Sequence, residues 1–129
     1  MSRTAARSGS PFESAFGFSR AVRVGATISV SGTAPIWPDG HVDPDPVVQA
    51  RRCWEIMLAA LEELGGSVAH VVRTRQYVVD PAHADAVGAV HGEVFGEVRP
   101  ASTMVVVAAL LDPRWKVEME LDAVLPDPR

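Results

Sequence analysis

Over residues 115–124 the chain alternates strictly, with Trp115, Val117, Met119, Leu121 and Ala123 apolar and Lys116, Glu118, Glu120 and Asp122 charged. A period of two sends these sets to opposite faces of a strand, so the segment predicts a strand with one dry and one wet face. Residues 103–109 (TMVVVAA) are apolar at both parities, which predicts a strand covered on both sides. Residues 70–79 are β-branched and aromatic and also read as a strand. Near the start, residues 21–24 and 27–32 form a hairpin pattern around Gly25 and Ala26, the second strand alternating Ile28 and Val30 with Thr27, Ser29 and Ser31.

The pattern changes period between these strands. Ala50, Trp54, Met57, Leu61 and Leu64 recur every three or four residues across 46–64, with Gln49, Arg52, Glu55 and Glu62 turned away, which is an amphipathic helix ended by Gly65 and Gly66. Asp80 followed by Pro81 reads as a cap and first residue of a second helix, which carries Val87, Val90 and Val94 on one side and stops at Gly96. The stretch APIWPDGHVDPDP (34–46) holds four prolines and three aspartates and reads as a surface loop with a brief extended piece at His41 and Val42. Residues 1–14, rich in Ser, Arg and Ala without periodicity, read as a mobile leader ahead of a single domain over 15–129.

The predicted order is strand, strand, helix, strand, helix, strand, strand. Two helical crossovers imply parallel pairings, with both helices on one face of a mixed sheet by the right-handed rule, an α+β two-layer arrangement. Two helices cover one face only, yet TMVVVAA is apolar on the other as well. Further copies of the chain around a symmetry axis are the economical cover.

Composition narrows the chemistry. A formal charge of −4 disfavours a nucleic-acid partner, and no segment resembles a signal peptide or a membrane span, so a cytoplasmic protein is expected. The single cysteine, Cys53, has no thiol partner and sits on the apolar stripe as a small hydrophobe. His41, His70, His83 and His91 lack chelating spacing, and neither metal nor cofactor is expected. No GxSxG elbow accompanies Ser102 or Thr103, so they read as ligand or backbone hydrogen-bonders rather than nucleophiles.

Seven segments in register, from FSRAVRVG and VSGTAPIWPDGHV through QARRCWEIMLAALEELGG, VVRTRQYVVD and VHGEVFGEVRPA to the closing pair of strands in STMVVVAALLDPRWKVEMELDAV, resemble the RidA (reactive intermediate deaminase, YjgF-like) family over residues 18–124. The resemblance implies a chorismate-mutase-like homotrimer with helices outside, a barrel-like core of sheets and small-molecule clefts between subunits. It also implies hydrolysis of 2-imino acids or enamines, in which an arginine pairs with the substrate carboxylate and a glutamate positions water. Carried over by position, Phe18 is the aromatic lining the cleft, Gly32 the backbone contact, Met104 the main-chain contact near the arginine, and Glu118 the water-positioning acid.

The arginine itself is absent. Active deaminases of the family read P-A-R-S, where this chain reads Pro100, Ala101, Ser102 and Thr103. Loss of such a charge-assisted pair removes roughly 1.5 to 3 kcal/mol, so an ordinary 2-imino acid is expected to bind poorly. Phe18 and Val106, in place of the usual tyrosine and glutamate, make the site less polar still. Arg99 is either a loop arginine holding the strand entry or a substitute leaning into the cleft. Glu118 is either the catalytic carboxylate or an interface group paired with Lys116 or Arg114, and Glu120 and Asp122 read as interface charges. Trp37 and Trp115 read as packing at loop or subunit contacts, with Trp115 also placed to wall the cleft. Arg51 and Arg52 read as a solvated helix face bonded to Glu55. The expected function is hydrolysis of a non-standard imine or enamine, the alternative a catalytically silent trimeric binding protein.

Overall fold

Alternation along the last strand decides how the sheet is built. In the computed structural model, which describes residues 2–126, the elements in chain order are β1 (Arg3–Ala6), α1 (Pro11–Phe16), β2 (Ala21–Val24), β3 (Thr27–Thr33), α2 (Pro46–Glu63), β4 (Val71–Val78), α3 (Ala84–Phe95), β5 (Ala101–Val106) and β6 (Val117–Val124). Short 3-10 turns precede β4 and α3. The six strands form one mixed sheet in the order β1-β2-β3-β6-β4-β5. β6 runs antiparallel between β3 and β4, while β4 and β5 pair in parallel. The sequence order leads to parallel crossovers, and both occur in direction, but β6 inserts itself between the first pair. Its buried row, Val117, Met119, Leu121 and Ala123, is the driest strand face available and takes the centre.

α2 lies over β3 and β6, and α3 packs beside it, so both helices cover one face. Pro46 opens α2 behind Asp45, whose Oδ1 accepts from the Val47 amide at 2.8 Å. Trp54, Met57 and Leu61 of α2 close over Ile28, Met119 and Leu121 as a fully buried core, joined by Phe95 from α3, whose ring meets Trp54 edge-on at 4.9 Å. No helix among the described residues is long and apolar enough to cross a membrane.

Several expectations need correction. The segment read as a leader is folded: β1 pairs antiparallel with β2, and α1 is a capped helical turn. Ser10, Pro11 and Glu13 supply a cap, a first-turn proline and a third-position acid, with Gly17 closing the helix at φ 76°. Gln49 does not turn away. It is fully buried, its amide donating to the carbonyls of Asp43 and Arg114 (2.7 and 3.0 Å) and accepting from the Lys116 amide at 2.8 Å, which satisfies both ends of a polar group inside the core. His41 and Val42 form no strand; the His41 ring stacks on Trp37 at 4.8 Å beyond the Pro38–Asp39 turn. β5 stops at Val106 as an edge strand, so Val105 and Val106 are exposed because no strand lies beyond them. Elsewhere the uncovered face carries polar pairs, Arg75 bound to Asp122 at 3.3 Å and the Tyr77 hydroxyl donating to Glu120, together with the exposed Val24 and Val124.

Candidate active site

The uncovered face becomes a cleft where β3 loses its register. Pairing with β6 shifts between Val30 and Thr33, and this irregular stretch holds Ser31 and Gly32, the latter close to the Glu118 carboxylate. A β-carbon at Gly32 would lie 2.8 Å from Glu118 Oε2, so only glycine leaves the carboxylate its place. Around it is a cleft of about 370 Å³, walled by Phe12, Phe16, Phe18 and Trp115, with Leu111 at the rim. Phe12 stacks on Phe16 at 6.0 Å and meets Trp115 edge-on at 6.3 Å.

Glu118 is half-buried, and burial pushes its carboxyl above the usual range; Arg20 pulls it down and Glu120 pushes it further up. Lys116 and Arg114 do not pair with it. Lys116 Nζ donates to the Pro44 carbonyl, and Arg114 is held by Asp112 at 2.8 Å. No hydrogen bond to its carboxylate is formed by the described residues. An unpaired, partly dehydrated carboxylate of raised pKa is suited to accept a proton from a water molecule near neutral pH.

Beneath the cleft lies a group that the sequence reading did not single out. Arg20 is buried, with Nη1 donating to the Gly32 carbonyl at 2.7 Å and to Thr33 Oγ1 at 2.9 Å, and Nη2 approaching Glu13 Oε2 at 3.5 Å. Its guanidinium also sits 5.4 Å from the Phe18 ring centroid. Glu13 in turn accepts from the Ser8 amide and hydroxyl. Arg20 thus fixes the carbonyl of Gly32 and the ring of Phe18. The S-x-x-E capping pattern of residues 10–13 was the available signal for α1, and with it for Glu13 and the two phenylalanines.

Phe18, Gly32 and Glu118 therefore meet in one cleft, while the other sequence candidates stand apart. Arg99, Ser102, Thr103 and Met104 lie at or beside β5, two strands away from β6 and so about 10 Å across the sheet. Thr74 donates to Ser102 Oγ at 2.8 Å and also contacts His91 Nε2 at 2.8 Å, which ties Ser102 toward the helical layer; burial lowers the His91 pKa. Thr103 faces the other way and accepts from Arg73 at 2.8 Å, whereas Met104 packs on the core. Arg99 is exposed and has φ 56°, a left-handed residue just past α3 whose N–H donates a hydrogen bond to the Phe95 carbonyl at 2.8 Å. Cys53 is buried, and burial, then Glu118, pushes its thiol pKa up, keeping it protonated. A wider hollow of about 930 Å³ beside Arg23 and Gly65 lies at the other end of the sheet, and its arginine is spent on the Gly25 and Leu64 carbonyls.

This arrangement has relatives. The family model described as Endoribonuclease L-PSP matches residues 9–125. The uncharacterized protein SCO2049 of Streptomyces coelicolor is 37% identical over 118 residues, covering 91% of this chain and 88% of that protein. A RutC family protein of Pyrococcus abyssi is 37% identical over 95 residues, 72% of this chain and 75% of its own. Among solved structures, Rv2704 of Mycobacterium tuberculosis, described as a member of the YjgF/YER057c/UK114 family, superposes with a TM-score of 0.89 at 44% identity, over 96% of this chain and all of that one. The YjgF gene product of E. coli superposes with a TM-score of 0.78 at 31% identity, over 93% and 92% of the two chains. A matching family model across nearly the whole chain, with relatives of this similarity, places the protein in the YjgF/RidA family.

Proposed function

We propose that the protein hydrolyses a reactive imine or enamine in a cleft completed by a neighbouring copy within a homotrimer. The observation that carries this reading is Glu118, an unpaired and half-buried carboxylate facing Gly32 in an aromatic-walled cleft. In the reaction, Glu118 accepts a proton from water as the oxygen attacks the C=N carbon. The nitrogen takes up that proton to give a carbinolamine, the hydroxyl proton then passes to the nitrogen as the C–N bond breaks and the C=O bond forms, and ammonia leaves; an enamine first tautomerises to the imine. Separation of the site residues into two groups on one chain supports assembly, because the β5 edge bearing Ser102 and Thr103 can reach a cleft only on another copy. Family likeness supports a small-molecule ligand, and one structural relative, E. coli TdcF at 25% identity, was solved with bound serine.

Ser102 in place of the arginine favours the second reading, a binding protein without turnover. The two are separated by measuring carbonyl formation from imines generated in situ by an amine or amino-acid oxidase, with side chains varied. Hydrolysis by the native chain, reduced about a hundredfold or more in Glu118→Gln, is expected. Native protein without acceleration on any imine, with activity created by Ser102→Arg, would favour the silent binder. Cleavage of RNA by the same preparation, unexpected for a chain of net charge −4, would overturn both.

A further inference from the structure

We propose that this cleft selects a small organic cation, an iminium or ammonium carrying an aryl or branched aliphatic group, and turns carboxylates away. The inference deepens the hydrolase reading by naming its substrate class, and it rests on the same cleft without requiring turnover.

Charge is the first argument. Two charged side chains contribute to the cleft, Glu118 and Arg20, but Arg20 is only 4% exposed and its two terminal nitrogens serve Gly32, Thr33 and Glu13. Glu13 offsets its charge from behind, 3.5 Å away. The cations nearest along β6, Lys116 and Arg114, are engaged by Pro44 and Asp112. What this chain presents to a ligand is therefore one carboxylate without a hydrogen-bond partner, while its one cation in the lining, Arg20, is buried beneath the floor with its terminal nitrogens engaged and Nε unpartnered. A carboxylate would have to desolvate against Glu118, whereas a cation would complete a pair in a partly dehydrated site, where the interaction is stronger than in water.

Wall chemistry is the second, independent argument. Phenylalanine and tryptophan faces carry a negative quadrupole that attracts cations, and their bodies bury apolar groups. Phe12 and Phe16 stand nearly parallel, 5° between planes, with Phe16 71% exposed and Leu111 86% exposed at the mouth. Such apolar area is left open around an unpaired carboxylate, a combination that fits a ligand with a charged nitrogen at one end and a hydrocarbon group at the other. The volume of about 370 Å³ lies toward the small end of ligand pockets.

The test is binding, by isothermal titration and amide chemical shifts, of 2-phenylethylammonium and of 3-phenylpropanoate, two probes with the same ring and opposite charge. The native protein is expected to bind the ammonium saturably and at least tenfold more tightly than the carboxylate. Glu118→Gln is expected to weaken the ammonium about tenfold and to narrow the gap between probes, and Phe16→Ala to weaken it several-fold. Equal or tighter binding of phenylpropanoate would overturn the proposal, and loss of that binding in Arg99→Ala would trace it to an arginine brought by another copy. Absence of saturable ammonium binding would overturn it as well. If the ammonium binds and no imine is hydrolysed, the hydrolase reading fails while this one stands.

Discussion

The two faces of the sheet obey opposite rules, though every strand contributes to both. On the helical face, several buried polar groups are bonded within the protein: Gln49 has three backbone partners, and Thr74 lies between Ser102 and His91, whereas Trp54 Nε1 and Gln76 Oε1 have no partner among the described residues. On the open face, charges stand in rows, Tyr77 with Glu120 and Arg75 with Asp122, and one carboxylate in that row is left without a partner. The contrast teaches that stability and chemistry are divided by parity along a single strand: Met119 and Leu121 hold the core while Glu118, one residue away, is spent on the cleft.

Substitutions on the two faces should therefore differ in size and even in sign. Trp54→Ala, which empties the centre of the helical face, should lower stability by roughly 4 kcal/mol in denaturant unfolding. Arg20→Met, which strands the buried Glu13 carboxylate and the Gly32 carbonyl, should cost about 3 kcal/mol; a loss as small as that of an exposed pair would mean that Arg20 does not organise the cleft floor. Arg75→Ala on the open face breaks a pair in which both side chains are 38% exposed and should cost less than about 1 kcal/mol.

Glu118→Gln should run the other way. A carboxyl whose pKa is raised by folding binds its proton more tightly in the folded state, so its charged form lowers stability above the ordinary range. The variant should melt above the native protein at pH 7, and the difference should close as pH falls below the ordinary value of 4.5. A variant that melts lower at pH 7 would show Glu118 to be a structural partner after all.

Much of this division was legible in the residue pattern. Strict alternation in β6 assigned Glu118, Glu120 and Asp122 to one face and the core to the other, and the spacing from Trp54 to Leu61 located α2 within a residue or two. What the pattern did not contain is non-local. Nothing in the period of β6 says that it enters between β3 and β4, because pairing partners are chosen by burial across the whole sheet. β1 is four residues long with one buried side chain, too short to leave a periodic trace. Arg20 carries no signal of its own in the sequence, because its partner Glu13 reaches it only once α1 folds back. The aromatic wall was hidden with α1, whose capping signal stood inside a segment of leader-like composition.

Phe18, Gly32 and Glu118 meet beside the inner strands β3 and β6, and Ser102 and Thr103 lie on the edge strand β5, so the proposed function depends on copies of the chain bringing the two together. The most direct measurement is the molar mass in solution at micromolar concentration, by light scattering on the eluting species. Three times the 13.8 kDa of the chain is the predicted result, and a stable, well-folded single chain would contradict it.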